Sequence, residues 1–317
     1  MEKELLFLEP VFKQMIWGGS RLRDVFGYDI PGEDTGECWA VSAHPKGDGK
    51  IANGVYAGRH LSDLWKREKH LFGGAQGEEF PLLVKLIDAK ADLSIQVHPD
   101  NAYAKEHEDG ASGKQECWYI VDCDKDATIV IGHYAKDKEE FKRMTEEGRW
   151  KELIREFPIK KGDFFQIEPG TLHAIKGGTM ILETQQSSDI TYRVYDYDRL
   201  SDGKPRQLHK EKSLDVVTCP HKDTPVRHKR EQLPGCKREV LVECPMYDVE
   251  HLEIDGKAAF PEEAPFALVS ILDGEGYWNE TPVKKGQHFI IPADFGDYTV
   301  EGKLSLIKSR PGSWKER

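Results

Sequence analysis

The sequence predicts a mainly β protein of the sandwich or jelly-roll class, and three observations carry that prediction. Most of the 317 residues fall into short runs rich in Val, Ile, Thr, Tyr and Phe, punctuated by Gly, Pro and Asp. Extended helical periodicity is confined to two stretches. A fold unit also recurs, because KKGDFFQIEPGTLHAI (160–175) is echoed by KKGQHFIIPADFGDYTV (284–300), each with Lys-Lys-Gly, an apolar strand and a proline-led turn.

Taken along the chain, LSDLWKREKHLF (61–72) places Leu61, Leu64, Trp65, His70 and Leu71 on one stripe and predicts a helix. FPLLVKLI, ECWYIV, ATIVIG, DFFQI, TMILETQ and ITYRVYDY predict strands. KDKEEFKRMTEEGRWKELIREF (136–157) predicts the second helix, its charged remainder a solvated face. The segment 221–239 is polar, contains proline and lacks apolar periodicity, which predicts a linker. The expected organisation is an N-terminal catalytic domain over 1–235 with helical insertions. A smaller domain, 236–317, has no metal site of its own, because the second repeat puts Phe295, Gly296, Asp297 and Tyr298 where the first offers His173.

With 45 basic and 56 acidic residues the net charge is −11, which argues against nucleic acid or an anionic membrane as a partner. An anionic substrate then needs a local basic pocket. The six cysteines are scattered without a C-x-x-C pair and are expected to be reduced thiols. MEKELLFLEP has no basic segment followed by an apolar run, and no run of 18 apolar residues occurs, so the cytoplasm is the expected location. No obligate protein partner is evident.

The chemistry concentrates in LSIQVHPDN (93–101). Period two puts Ser94, Gln96 and His98 on one face and Leu93, Ile95 and Val97 on the other. That polar face looks either at solvent or at a metal, which imidazole and a carboxamide oxygen both ligate. Glu116 opens a second strand and His173 follows the Pro169-Gly170 turn. Two imidazoles, a carboxylate and an amide oxygen suit one divalent ion such as zinc, with a position left for water or substrate. His107, in a charged loop, and His133, after a glycine, are weaker candidates.

The stretches IWGGSRL (16–22), ECWAVSAHPKG (37–47), FPLLVKLIDAKADLSIQVHPDN (80–101), GKQECWYI (113–120), EPGTLHAIKGG (168–178) and ETQQSSDITYRVYDYDR (183–199) resemble the signatures of the type I mannose-6-phosphate isomerases of the cupin superfamily, in their shorter bacterial form. The resemblance implies two copies of the cupin double-stranded β-helix, a jelly-roll barrel, with a few inserted α-helices. It also implies zinc at Gln96, His98, Glu116 and His173, and reversible interconversion of mannose 6-phosphate and fructose 6-phosphate through an enediolate. Compared with the longer eukaryotic relatives, the resemblance implies a chain without their additional helical domain.

Arg193 matches the family's catalytic arginine, a fixed fork of donors for developing oxyanions; the competing reading is a structural pair with Asp189 or Asp196. Glu183 matches an active-site position and competes with a metal-bound water as proton carrier. Lys85, costly amid an apolar strand unless its ammonium finds a partner, joins Ser94 and Lys114 as expected substrate contacts. Trp17 and His44 lie in matching motifs as either packing or site residues. Two other readings are a metal-dependent cupin enzyme such as a dioxygenase, which usually lacks phosphate-binding lysines, and a non-catalytic sugar-binding cupin in which Arg193 has no chemical duty.

Overall fold

The computed structural model describes residues 4–201, 203–263 and 265–312. Two β-sheets face each other in the N-terminal body. One runs in the order Phe164–Ile167, Glu116–Cys123, Thr179–Gln186, Leu82–Ala89, Val11–Gly19, Thr35–Val41. The other runs Tyr192–Tyr195, Ile95–Val97, His173–Ile175, Thr128–His133, Ile154–Pro158. Between them Ile87, Ile120 and Ile181 of the first sheet pack with Ile129 and Ile175 of the second. Strands buried on both faces, such as Leu82–Ala89, explain why apolar runs rather than clean alternation mark this body in the sequence.

A nine-stranded sheet forms the C-terminal body, and it borrows Leu6–Glu9 and Lys50–Ile51 from the other end of the chain at one edge. Leu6 stands opposite Ile290, so the smaller body is completed only by the start of the sequence. The expected linker is a β-hairpin instead: Lys229–Leu233 pairs with Cys236–Glu243, with Leu233 opposite Cys236. Its first strand is exposed along most of its length, which removes the apolar alternation that would have signalled it. Pro234-Gly235, with Gly235 at φ 67°, is the turn signal in that stretch. The expected break at 235/236 falls inside this turn.

Both expected helices are shorter than their patterns. The first runs Leu61–Arg67 and gives way to a 3-10 turn, Lys69–Phe72, which leaves His70 exposed. The second runs Lys138–Glu146, opened by the Asp137 carboxylate accepting from Glu140 N–H at 2.8 Å. Gly148 at φ 68° ends it, one more turn covers Trp150–Leu153, and Ile154–Pro158 is a strand on Thr128–His133. Sheet pairing there overrides a charged, helix-favouring sequence. Among the described residues no helix is long and apolar enough to cross a membrane.

The repeat holds at the level of the turn. Lys160 N–H donates to Asp163 at 2.9 Å and Lys284 N–H to Gln287 Oε1 at 2.8 Å, while Gly162 and Gly286 take φ 90° and 83°, a conformation glycine adopts without cost. His173 and Tyr298 then open the strands that follow.

Trp65, Phe72 and Phe80 of the N-terminal body close on Phe266 of the C-terminal sheet, with Trp65–Phe72 and Phe72–Phe266 centroids 5.1 and 5.2 Å apart. All four rings are buried. Trp65→Ala is expected to cost about 3–5 kcal/mol of stability, read as a lower midpoint in urea unfolding; an unchanged midpoint means the two bodies do not depend on this knot.

Candidate metal centre

Strand register assembles the site. Gln96 stands opposite His173 on one side and Arg193 on the other, and residues opposite each other in a ladder share a face. On the facing sheet Glu183 stands opposite Trp118 and Lys85, and Gln185 opposite Glu116. Lys114, Glu116 and Trp118 continue one face by period two.

Across the gap between the sheets the two rows meet. His98 Nε2 lies 3.4 Å from Glu116 Oε2, and His173 Nε2 lies 3.5 Å from Glu116 Oε1. His98 Nδ1–H donates to the Ile190 carbonyl and His173 Nδ1–H to the Thr171 carbonyl, both at 2.8 Å. Those bonds place the proton on Nδ1 and leave each Nε2 lone pair aimed at a carboxylate oxygen. Burial holds His98 at about 3 and lowers His173, so neither ring carries a proton there near neutral pH. His98 Nε2 is buried without a hydrogen-bond partner. Lone pairs converging in a dry interior repel unless a cation sits among them, and ligand atoms of His98, Glu116 and His173 lie within 4.8 Å of one another. This donor set fits a divalent ion.

Gln96 lies beside the group. Its amide nitrogen is 3.3 Å from His173 Nε2 and its oxygen 3.1 Å from Ser94 Oγ. A half-turn of the carboxamide brings the oxygen to the metal position, and the Ser94 hydroxyl, both donor and acceptor, serves either orientation.

Burial acts most strongly, to raise the Glu116 carboxyl, but Lys114, with Nζ 2.7 Å from Oε2, together with His98 and His173 outweighs it and holds the group well below the usual carboxylate range. Glu183 behaves oppositely: burial and then Glu116 raise it, against Lys114 and Lys85. Trp118 Nε1–H ties the two together, donating to Glu116 Oε1 at 3.1 Å and Glu183 Oε2 at 3.2 Å. Lys85 Nζ is 3.3 Å from Glu183 Oε1 and 4.0 Å from Glu37 Oε2. Burial opposes its charge, yet Glu37 and Glu183 prevail and raise it.

Ser94, Gln96, Lys85, Lys114, Glu183 and Arg193 all border one cavity of about 460 Å³. The alternative pairing of Arg193 does not occur. Asp189 is taken by Lys46 at 2.8 Å, and Asp196 by Arg199 at 2.6 Å and Arg206 at 2.5 Å. Arg193 Nε is buried without a partner.

Trp17 is buried and borders the cavity. His44 packs edge-on to Trp39, His107 lies on Tyr103 and His133 binds the Thr218 carbonyl; none joins the metal group. Trp118, Arg206 and His209 went unremarked in the sequence. Trp118 was findable, two residues after Glu116. Arg206 and His209 lie in a polar stretch with no periodicity to set them apart. A larger cleft of about 910 Å³, bordered by Trp65, Met246 and Pro265, has no imidazole or cation among its described residues.

Residues 5–119 match the family described as phosphomannose isomerase type I, catalytic domain, and residues 237–311 match mannose-6-phosphate isomerase, cupin domain. The chain is 48% identical to the mannose-6-phosphate isomerase ManA of Bacillus subtilis, over 98% of this chain and 99% of that one. It is also 48% identical to the mannose-6-phosphate isomerase of Streptococcus mutans, over 96% and 98%. The crystal structure of the mannose 6-phosphate isomerase from Bacillus subtilis superposes with TM-score 0.95 at 48% identity, covering 96% of this chain and 99% of that one.

Proposed function

The chain belongs to the type I phosphomannose isomerases, and from that premise we propose that it interconverts mannose 6-phosphate and fructose 6-phosphate at the Glu116 centre. That membership sets aside the dioxygenase and the non-catalytic sugar-binding cupin. The observation that carries the reading is the convergence of His98, Glu116 and His173 beside a buried carboxyl, Glu183, that burial and Glu116 raise above its ordinary value.

In this reading Gln96, His98, Glu116 and His173 hold one zinc ion. When bound, it supplies Lewis-acid polarisation of the sugar's oxygens. The chain's own residues do the rest. Glu183 carries the proton between C1 and C2 of the open-chain sugar, since a carboxyl raised by burial is a better proton carrier than an ordinary one. Trp118 and Lys85 fix its two oxygens. Arg193 donates to the charge that develops on the enediolate oxygens, its Nε buried without a hydrogen-bond partner among the described residues. Ser94, Lys85 and Lys114 contact the sugar. Six free thiols fit a reducing compartment, the cytoplasm.

A coupled assay for fructose 6-phosphate tests this. Activity is expected to vanish on chelation and to return with zinc. Metal-replete protein without activity sinks the reading and leaves a sugar-binding cupin.

A further inference from the structure

The crossing from one sheet to the other beside the metal group has no ladder to hold it. Strand Thr179–Gln186 belongs to the sheet that carries Glu116 and Glu183, and strand Tyr192–Tyr195 to the facing sheet. Residues 187–191 join them without forming part of either strand. Asp189 and Thr191 in this crossing border the cavity, and the Ile190 carbonyl accepts the His98 Nδ1–H at 2.8 Å. Irregular backbone thus sets the tautomer of a metal-group histidine, and the backbone itself has to be set.

Gln185 is placed to do so. It is fully buried, lies on the Glu183 face by period two and stands opposite Glu116 in the ladder. Its Nε2 donates to the Gln186 carbonyl at 2.8 Å and to the Ser188 carbonyl at 2.5 Å, so both amide protons are engaged at the start of the crossing. A flipped carboxamide would set its oxygen against two carbonyl oxygens, which leaves one orientation. In that orientation Oε1 is buried without a hydrogen-bond partner among the described residues, a penalty that an apolar side chain of the same size would avoid. The two bonds made by the nitrogen account for an amide at this position.

Ser188 carries the constraint onward. Its N–H donates to the Gln186 carbonyl at 2.7 Å, and its hydroxyl donates to the Ser112 carbonyl at 3.0 Å and accepts from Ile190 N–H at 3.4 Å. Ile190 then presents its carbonyl to His98. The Gln186 side chain accepts from Gln115 N–H and donates to Asn101 Oδ1, both at 3.0 Å, so it holds the strand end rather than the crossing.

We propose that Gln185 is a positioning residue of the metal centre: by holding the Gln186 and Ser188 carbonyls it sets the Ile190 carbonyl that orients His98. It acts through the backbone, not on the substrate. The inference rests on the metal-centre reading above and adds what preorganises one of the ligands.

The test is Gln185→Met, which keeps the length of the side chain and removes its donors. Two quantities are read in the zinc-loaded protein: the zinc Kd, by competition with a chelator of known affinity, and the His98 Nδ1–H proton, by NMR of histidine-labelled protein. Kd is expected to rise about 10- to 100-fold, as for loss of an outer partner of a metal ligand, and the proton to exchange faster with water than in wild type. An unchanged Kd overturns the proposal, as does a raised Kd with the His98 proton unmoved. A lower unfolding midpoint with both quantities unchanged also overturns it and makes Gln185 a packing residue. Gln185→Asn, which draws the amide back by one methylene, is read in its place where the methionine variant loses its fold. Neither quantity needs turnover, so a protein that binds zinc without isomerising mannose 6-phosphate sinks the isomerase reading alone. If wild-type protein takes up no zinc, the His98 proton decides: faster exchange in the variant supports the proposal and equal exchange overturns it.

Discussion

His173→Ala is expected to give a folded protein that retains little metal and shows no measurable turnover of mannose 6-phosphate. The imidazole is fully buried, its Nδ1–H spent on the Thr171 carbonyl, and its Nε2 faces Glu116 and Gln96. Losing an outer partner of a metal ligand costs about 10–100-fold in affinity, so losing the ligand itself costs more than about 100-fold. Stability separates this from a folding defect. Wild-type protein at a metal concentration about 1,000 times Kd gains roughly 4 kcal/mol on unfolding, and the variant gains none, while the two should unfold at similar midpoints in chelator. Elemental analysis gives the stoichiometry. Metal content equal to wild type removes His173 from the ligand set.

Two of the four proposed ligands, Gln96 and His98, were legible as one face because a strand's period is short and rigid. Ser94, Gln96 and His98 alternate with three apolar residues, so one polar face was readable from nine letters. Register was not readable. That His173 and Arg193 flank Gln96, or that Lys85 and Trp118 flank Glu183, depends on which strands become neighbours, and non-local pairing leaves no mark in any one segment. The carbonyls of Ile190 and Thr171 that set the histidine tautomers were invisible for the same reason. Lys85 illustrates a half-success: its apolar surroundings demanded a partner, and Glu183 is that partner on the next strand.

In the fold, the repeat was legible because its turn is local: Lys-Lys-Gly followed by Asp or Gln builds the same hydrogen bond twice. The helix over 136–157 failed at its end because strand Ile154–Pro158 is specified by its neighbour rather than by its own letters. The completion of the C-terminal sheet by Leu6–Glu9 joins segments nearly a chain length apart. No composition shift announces such a pairing.

Arg193→Ala is expected to lower kcat by about 100-fold or more while zinc content and thermal midpoint stay near wild type. A preorganised donor aimed at a developing oxyanion is worth about 3–4 kcal/mol of barrier, and Arg193 has the marks of one. It is half-buried, borders the cavity beside Gln96, and its guanidinium pairs with no carboxylate among the described residues, Asp189 and Asp196 being occupied by Lys46, Arg199 and Arg206. A structural arginine would cost stability when removed; this one, held close to another cation, should cost little and relieves repulsion with Arg206. Arg193→Lys keeps the charge without the planar fork and is expected to recover only part of the rate. Near-normal kcat in Arg193→Ala excludes the oxyanion role, and a large drop in midpoint returns Arg193 to a structural one.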